Sequence, residues 1–242
     1  MNETNVKLFE LLDCIANNYI IEDSDYYYND NKVPRVTKII QRCIHSNGLM
    51  HWANYLGFKH KSYNKELTIA ATIGTQCHNS IDKYLNDNSY EPENIMQEAR
   101  NAYNSYLKWL NEVKKYANVE IIYREKTLIC KYFGGTLDGL YKFNDKIYIV
   151  DYKTSNHINF NYCLQLAAYI IMLEIVVNIK VDGCIILQLS KHDTGYNEFT
   201  LNFDKPEEKE YMEQCKTSFL SMALWYYNLI ATENGFKLLN WR

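Results

Sequence analysis

Two aspartates on neighbouring predicted strands form the most informative pattern in the sequence. The strands flank Asn144-Asp145, a dipeptide that suits a two-residue hairpin turn. With that turn, Asp138 lies directly opposite Asp151, and Lys153 projects from the same face. Carboxylates that start about 5 Å apart repel each other. A divalent cation between them would remove the repulsion, and hard oxygen ligands favour Mg²⁺ or Mn²⁺.

The same pair also fits a simpler interpretation, in which both aspartates face solvent at a strand end and Lys153 is a surface partner. Two polar features favour a site. His78 lies on a predicted helix over residues 65–85, although a lone histidine on a helix is more often a structural residue than a ligand. Gln165 and Tyr169 lie one turn apart on an apolar predicted helix. A glutamine that faces a core needs a hydrogen-bond partner, which suggests that Gln165 makes a hydrogen bond near the site.

Hydrophobic periodicity predicts the elements that position these residues. Helical spacing covers residues 4–19, 36–44, 49–58, 65–85, 92–117, 159–177 and 206–230. Strand-like runs cover residues 119–130, 133–143, 146–152, 181–190 and 198–203. The acidic, tyrosine-rich segment 22–31 is predicted to be a loop. Gly74 interrupts a helix at a cost of about 1 kcal/mol relative to alanine, so we expect close packing there.

Length and composition limit the class of protein. The chain has 242 residues, of which 47% are hydrophobic and 23% charged, as in a globular protein. The order of elements predicts an α/β fold with a mixed central sheet flanked by helices. We expect one integrated domain, with a helical region over residues 1–117 that contributes His78 and a core over residues 118–242. A net charge of −3 gives no global positive field for nucleic acid, but a site for phosphodiesters can itself be acidic.

The cysteines and the apolar runs indicate which cellular compartment and which cofactors fit the chain. Seven cysteines occur without C-x-x-C spacing, which favours reduced thiols over a zinc ribbon or an iron–sulfur cluster. Cys43, His45 and His51 form a weak metal candidate, because they lack the pair spacing of zinc ligands. No run approaches about 18 uncharged apolar residues, which predicts no membrane segment. The first fourteen residues lack a signal-peptide or transit-peptide pattern, so we expect a cytoplasmic protein.

Four short motifs follow one another in an order that is specific as a set: His78, Gly135-Thr136-Leu137-Asp138, Asp151-Tyr152-Lys153 and Gln165-x-x-x-Tyr169. This order resembles the RecB-type branch of the PD-(D/E)XK nucleases. Upstream, the VPRVTKII run over 33–40, Trp52 and the G-T-x-x-H run over 74–78 are similar to phage-type exonucleases and mitochondrial genome maintenance exonucleases. The resemblance spans roughly residues 33–190 and implies a restriction-endonuclease-like core.

The resemblance also implies residue roles. The implied metal ligands for Mg²⁺ or Mn²⁺ are His78, Asp138, Asp151 and the main-chain carbonyl of Tyr152. The implied catalytic residues are Asp138, Asp151, Lys153 and Gln165. Lys153 would orient the attacking water or stabilise charge on the phosphate, and Gln165 would position the water or the DNA backbone.

DNA contacts and supporting residues are implied more loosely. The implied contacts are Trp52, Tyr55, Thr154 and Tyr169, of which Tyr169 would pack behind Gln165. Core packing of a short helix is the alternative for Trp52 and Tyr55. Glu125, on the strand before Asp138, fits either an acid behind the metal ligands or a solvent-facing charge.

The sequence therefore predicts a metal-dependent deoxyribonuclease, an exonuclease acting on single-stranded DNA ends in repair, recombination or phage DNA processing. The alternatives are a catalytically silent DNA-binding subunit, a structure-specific endonuclease and an RNA-acting enzyme. Arg35 and Ile73 stand where relatives often have serine and arginine, which affects substrate contacts more than chemistry. No C-terminal cysteine group accompanies the motifs, so the resemblance is to the branch without an iron–sulfur cluster.

Overall fold

A computed structural model describes residues 19–22, 25–44 and 47–238. The strands are β1 (Tyr19–Glu22), β2 (Asp25–Tyr28), β3 (Asn31–Val33), β4 (Val119–Ile129), β5 (Gly134–Phe143), β6 (Lys146–Lys153), β7 (Gly183–Leu189) and β8 (Tyr196–Asn202). The helices are α1 (Val36–Cys43), α2 (Asn47–Phe58), α3 (Tyr63–Asn86), α4 (Gln97–Val113), α5 (Phe160–Val176) and α6 (Pro206–Leu238). Most predicted boundaries differ from these by one to three residues.

The central sheet contains β4 to β8 in chain order. Only the β6–β7 pair within it is parallel, and the other neighbours are antiparallel. A parallel pair requires a long crossover connection, which α5 supplies. The prediction of a mixed α/β fold with a mixed sheet flanked by helices is confirmed at this level.

The β5–β6 hairpin has the predicted register. Phe143 pairs with Lys146, and the pairing continues through Leu140 with Ile149. Asn144 takes a φ of 54°, which this tight turn requires and asparagine tolerates better than most residues. The turn dipeptide therefore fixes which side chains of the two strands share a face.

The two faces of the sheet are covered by different helices. On one face, Leu140 and Ile149 pack with α1, α5 and α6 in a large buried cluster. On the other face, Tyr141 and Val150 pack with α3 and α4. The α5 helix is buried along most of its length, which explains its apolar sequence. Asp138 and Asp151 share the α5 face of the sheet with Leu140 and Ile149, since alternate strand residues point the same way.

The prediction of a loop over residues 22–31 is wrong, because β1, β2 and β3 form a small antiparallel sheet there. Asn29 and Asp30 both have positive φ and make the two-residue turn between β2 and β3. Tyr26 is buried, and its hydroxyl lies 3.1 Å from the hydroxyl of Thr136 on β5. Packing against β5 therefore orders a segment whose acidic composition is typical of loops.

Three helices also differ from prediction at their ends. Helix α4 spans Gln97–Val113 rather than residues 92–117, and the Pro92 carbonyl before it accepts a hydrogen bond from the Arg100 side chain. Asn47-Gly48 forms the first turn of α2 instead of preceding it. The last helix continues to Leu238. Residues 4–18 of the first predicted helix lie outside the described residues, and Tyr19 belongs to β1.

Two further findings concern the described residues as a set. None of their helices combines the length and apolar character that a membrane span needs. The six described cysteines are free thiols. The division of the chain at residue 117 stays a prediction.

Candidate metal centre

Three acidic side chains occupy one row across three adjacent strands. The strand pairs on either side of Glu125 in β4 place it opposite Asp138 in β5. The hairpin register, continued by one residue, places Asp138 opposite Asp151 in β6. The side chains of Asp138 and Asp151 are 10% and 2% exposed, and that of Glu125 is 37% exposed. The row therefore runs from a solvent-accessible acid to a fully buried one.

His78 projects from α3 into this row. Its Nδ1 atom lies 3.2 Å from Oδ1 of Asp138 and 3.7 Å from Oε1 of Glu125. Its Nε2 atom lies 3.2 Å from the carbonyl oxygen of Tyr152. The ligand atoms of His78, Glu125 and Asp138 all lie within 4.8 Å of one another, so this group could hold a metal ion.

Asp138 occupies the centre of the site. Its Oδ2 atom accepts a hydrogen bond of 2.7 Å from the backbone N–H of Tyr152. The regular β5–β6 ladder ends at the preceding pair, Gly139 with Val150, so this carboxylate takes the place of a backbone acceptor. The remaining oxygen of Asp138 is directed at His78.

Asp151 is the buried polar group with the fewest partners. Lys153 Nζ lies 2.5 Å from its Oδ2 atom in an ion pair. Neither carboxylate oxygen makes a hydrogen bond of acceptable geometry with the described residues, and they are the only buried side-chain oxygen or nitrogen atoms there in that condition. Lys153 compensates part of the cost of burying this carboxylate, and a bound metal ion is one way to satisfy the oxygen that remains, Oδ1.

Burial and neighbouring charges shift the pKa values of the site residues in different directions. Burial raises the pKa of Asp151 to about 6, an effect that Lys153 only partly offsets. Burial also acts to raise the pKa of Asp138, but the nearby His78 and Lys153 charges lower it overall. Burial disfavours the charged imidazole of His78, yet Asp138 and Glu125 together raise its pKa to about 10. The carboxylates of Asp138 and Glu125 therefore favour a positively charged group beside them.

Lys153 and Gln165 approach the site from β6 and α5. Lys153 Nζ lies 4.9 Å from the centre of the Tyr162 ring, which holds the ammonium group beside Asp151. Gln165 Nε2 donates a hydrogen bond of 3.0 Å to the hydroxyl of Tyr169. The prediction that Tyr169 supports Gln165 is consistent with this contact.

Gly135 and Gly74 differ in the space that surrounds them. A Cβ atom at Gly135 would lie 2.6 Å from Cε1 of Tyr169, so only glycine allows β5 to approach that ring. A Cβ atom at Gly74 would lie 3.6 Å from Oγ1 of Thr154, an ordinary contact. The expected close packing at Gly74 is therefore wrong, and Thr154 leaves room for a Cβ atom there.

A chain of tyrosine hydroxyls lies on the α4 side of the sheet. Tyr141 bonds both to Tyr106, at 2.8 Å, and to Tyr152. All three rings are buried. This chain fixes the side chain of Tyr152, whose ring centre lies 5.7 Å from that of His78 and whose carbonyl oxygen lies 3.2 Å from His78 Nε2.

A groove of about 1190 Å³ adjoins the site between α1, α2, α3 and the segment that follows β6. The residues that line it include Trp52, Ser155, Tyr162, Gln165 and Lys191. Trp52 packs edge-on against Tyr63, with ring centres 5.4 Å apart. Tyr55 is 56% exposed and does not line the groove as the structure describes it.

The structure brings together His78, Asp138, the Tyr152 carbonyl and Glu125 in one group, with Asp151 and Lys153 beside them. The sequence leaves Glu125 either as an acid behind the metal ligands or as a solvent-facing charge, and the β4–β5 register is what places it in the group. The weak candidate of two histidines and Cys43 gains no support. His45 lies outside the described residues, His51 is exposed, and Cys43 donates to the Met222 carbonyl.

No protein-family model matches the chain, and no curated protein matches it. Among solved structures, the crystal structure of SSO0001 aligns with a TM-score of 0.40 at 13% sequence identity. The alignment covers 93% of this chain and 83% of that chain. Similarity at this level does not establish a common fold.

Proposed function

We propose that the protein is a divalent-metal-dependent deoxyribonuclease of the RecB-like type, with a restriction-endonuclease-like core, that removes nucleotides from single-stranded DNA ends. One observation carries the proposal. The buried carboxylate of Asp151 has no hydrogen bond from the described residues, yet it lies beside Lys153 and in one row with Asp138. This combination is expensive in a protein interior and suits a site that binds a cation and a phosphate.

The donor set fits Mg²⁺ or Mn²⁺. Carboxylate and carbonyl oxygens are hard ligands that both ions accept, and an imidazole nitrogen favours Mn²⁺ over Ca²⁺. Asp138, Asp151, His78 and the Tyr152 carbonyl would hold the cation. When bound, it would lower the pKa of a water molecule and neutralise charge on the phosphate.

The remaining side chains act on the substrate. Lys153 is held beside Asp151 by the Tyr162 ring, so its ammonium group can stabilise charge on the scissile phosphate. Gln165 lines the groove with its amide oxygen available as an acceptor, since its Nε2 atom is bonded to Tyr169. That oxygen can orient a water molecule for attack.

The groove supports a single-stranded substrate. Trp52 lines it and offers a ring on which a base can stack, while Lys191 supplies positive charge for the backbone. Glu66 and Glu98 also line the groove, so phosphate contacts are confined to part of its wall. DNA with a free end is the proposed partner, with repair, recombination or phage DNA processing in the cytoplasm as the proposed setting.

The test is cleavage of end-labelled single-stranded DNA with EDTA, Mg²⁺, Mn²⁺ or Ca²⁺. We expect products with Mg²⁺ or Mn²⁺, none in EDTA, and little turnover with Ca²⁺ because its looser coordination positions water less strictly. Lys153→Ala should reduce cleavage by about 10²-fold while DNA affinity is retained, since it removes charge stabilisation in the transition state. Asp138→Asn should abolish cleavage.

Lys142→Ala is the matched control, because Lys142 lies on β5 near the hairpin end of the strand. It should cleave as the wild type does. Robust cleavage in EDTA, or wild-type turnover by Lys153→Ala, would overturn the proposal. DNA binding without cleavage under any metal condition would favour a silent binding subunit.

A further inference from the structure

A second pocket, of about 390 Å³, lies between the segment that follows β6 and the turn that joins β7 to β8. Four residues line both this pocket and the groove: Ser155, Asn156, Lys191 and His192. The pocket and the groove therefore adjoin. Pockets for small-molecule ligands have volumes of about 300–1,000 Å³. The second pocket is thus large enough for one small molecule and too small for a stretch of DNA.

The pocket begins directly beyond Lys153. Lys153 pairs with Gln188 across β6 and β7, and the next residue along the chain, Thr154, lines the pocket together with Gln188. Under the proposed function, the ammonium group of Lys153 contacts the scissile phosphate. The pocket is therefore close to the nucleotide that is cut away at that phosphate.

The side chain of Gln188 joins the two walls of the pocket. It is buried, and its Nε2 atom donates a hydrogen bond of 2.7 Å to the carbonyl oxygen of Ser155 in the segment after β6. Its Oε1 atom accepts a hydrogen bond of 2.9 Å from Nδ2 of Asn197 on β8. The separation of the two walls is fixed by these bonds, so little ordering of the protein is needed when a ligand binds.

The turn over residues 190–195 is held by its own side chains. The hydroxyl of Ser190 accepts hydrogen bonds of 3.3 Å from the backbone N–H groups of His192 and Asp193. Oδ1 of Asp193 accepts a hydrogen bond of 2.8 Å from the backbone N–H of Gly195, which directs this acid at the turn itself. No ion pair among the described residues uses the ammonium group of Lys191, so a phosphate can become its partner.

The lining combines the groups that recognise a nucleotide. Lys191 and His192 supply donors for a phosphate, and Thr154 supplies a hydroxyl for polar atoms of the sugar or base. Tyr196 is the aromatic residue of the lining, and its hydroxyl donates a hydrogen bond to Glu112 on α4. Bases stack on aromatic rings that are held in place in this way.

We propose that this pocket binds one nucleoside monophosphate, with the phosphate at Lys191 and His192 and the base against Tyr196. The inference rests on the proposed function for the origin of the ligand, which is the nucleotide that hydrolysis has just released. The pocket holds that nucleotide beside the groove while the remaining strand advances. Because the pocket accommodates one nucleotide, the strand is shortened by one nucleotide at each cut.

The experiment measures binding of deoxyadenosine 5′-monophosphate by calorimetric titration in EDTA without DNA, so that metal chemistry does not contribute. The wild type should bind it about 10-fold or more tightly than deoxyadenosine or inorganic phosphate, because each of these lacks part of the ligand. Lys191→Ala should weaken binding about 10–100-fold through the lost charged hydrogen bond. Tyr196→Leu should weaken it about 10-fold through lost stacking.

Two further variants locate the ligand. Lys180→Ala is the matched control for Lys191→Ala, because Lys180 is an exposed lysine just before β7 that does not line the pocket. Trp52→Ala changes the aromatic residue of the groove, which the pocket does not include. Both variants should bind the monophosphate as the wild type does. Circular dichroism confirms that each variant is folded, and Asn197→Ala provides a second change in the pocket wall that should also weaken binding.

The inference would be overturned by a wild type that does not bind the monophosphate, or by Lys191→Ala and Tyr196→Leu variants that bind it as tightly as the wild type. Loss of binding in Trp52→Ala would place the ligand in the groove and overturn it too, as would first cleavage products longer than one nucleotide. Cleavage assays on the same samples separate the two proposals. Monophosphate binding without cleavage supports the pocket and refutes the nuclease, whereas metal-dependent cleavage without monophosphate binding does the reverse.

Discussion

The ammonium group of Lys153 lies over the ring of Tyr162, 4.9 Å from its centre, with the lysine side chain only 16% exposed. A cation–π contact that is this shielded is worth about 1–2 kcal/mol. Tyr162→Leu should therefore slow metal-dependent cleavage about 5–30-fold. Tyr162→Phe keeps the ring and should stay close to the wild-type rate.

Single-turnover rates at saturating DNA measure this effect, because a positioning role changes the chemical step more than KM. The hydroxyl of Tyr162 also donates to Ser155 at 3.0 Å. A phenylalanine variant as slow as the leucine variant would show that this hydrogen bond, rather than the ring, supports Lys153.

Gly135→Ala should be destabilising. Its Cβ atom would lie 2.6 Å from the Tyr169 ring, and forcing an extra atom into a packed interior costs about 1–3 kcal/mol. Displacement of Tyr169 also moves the hydroxyl that bonds Gln165, so cleavage should fall in the fraction that remains folded. Thermal unfolding and active-site titration separate the two effects. Unchanged stability would mean that Tyr169 can move aside freely.

Gly74→Ala should have the opposite effect. The new Cβ atom meets Thr154 at an ordinary distance of 3.6 Å, and alanine favours a helix interior by about 1 kcal/mol over glycine. We expect the melting temperature to rise by about 2–4 °C in a chain of this length. Calorimetry measures the shift. A fall in the melting temperature would show that α3 needs a closer approach to the segment after β6.

Glu125→Gly tests the strained backbone. In EDTA, glycine at φ 41° should be at least as stable as Glu125→Gln, because it removes a cost of about 1–2 kcal/mol. At Glu120, in ordinary strand, the same comparison should favour glutamine, since glycine weakens a strand interior. Thermal unfolding of the four variants measures both differences. Equal losses on substitution by glycine at both positions would contradict the strain.

Free ends provide a substrate-level prediction. If a single strand threads the groove between α2 and α5, linear single-stranded DNA should be degraded while a closed single-stranded circle survives. Blunt duplex should be cut slowly, and higher salt should weaken binding through lost phosphate contacts. Gel assays on matched linear and circular substrates give the comparison. Equal rates would favour an endonuclease and leave the metal chemistry unaffected.

The parts of the site that are local in sequence could be predicted. The turn dipeptide Asn144-Asp145 determines the hairpin register, and the register places Asp138 opposite Asp151. Helical spacing alone places Gln165 next to Tyr169. In each case a few neighbouring residues determine the geometry, so no knowledge of distant contacts is needed.

The place of Glu125 could not be predicted in the same way. The β4–β5 pairing shifts by one residue between Ile121 and Tyr123. Such a bulge exchanges the two faces of a strand for every residue beyond it, and the sequence carries no sign of where it occurs. The small N-terminal sheet was missed for a related reason. Its order depends on burial of Tyr26 against β5, which is a contact between distant parts of the chain.

The three acids of the row all belong to the continuous segment 125–151, whereas His78 comes from a helix that precedes it. Contacts between neighbours in sequence form sooner than contacts that close a long loop. The meander of β4, β5 and β6 should therefore assemble its carboxylates before α3 docks. Refolding in Mn²⁺ would then begin with a weak metal-bound intermediate, and Asp138→Asn, but not His78→Ala, should abolish that early phase.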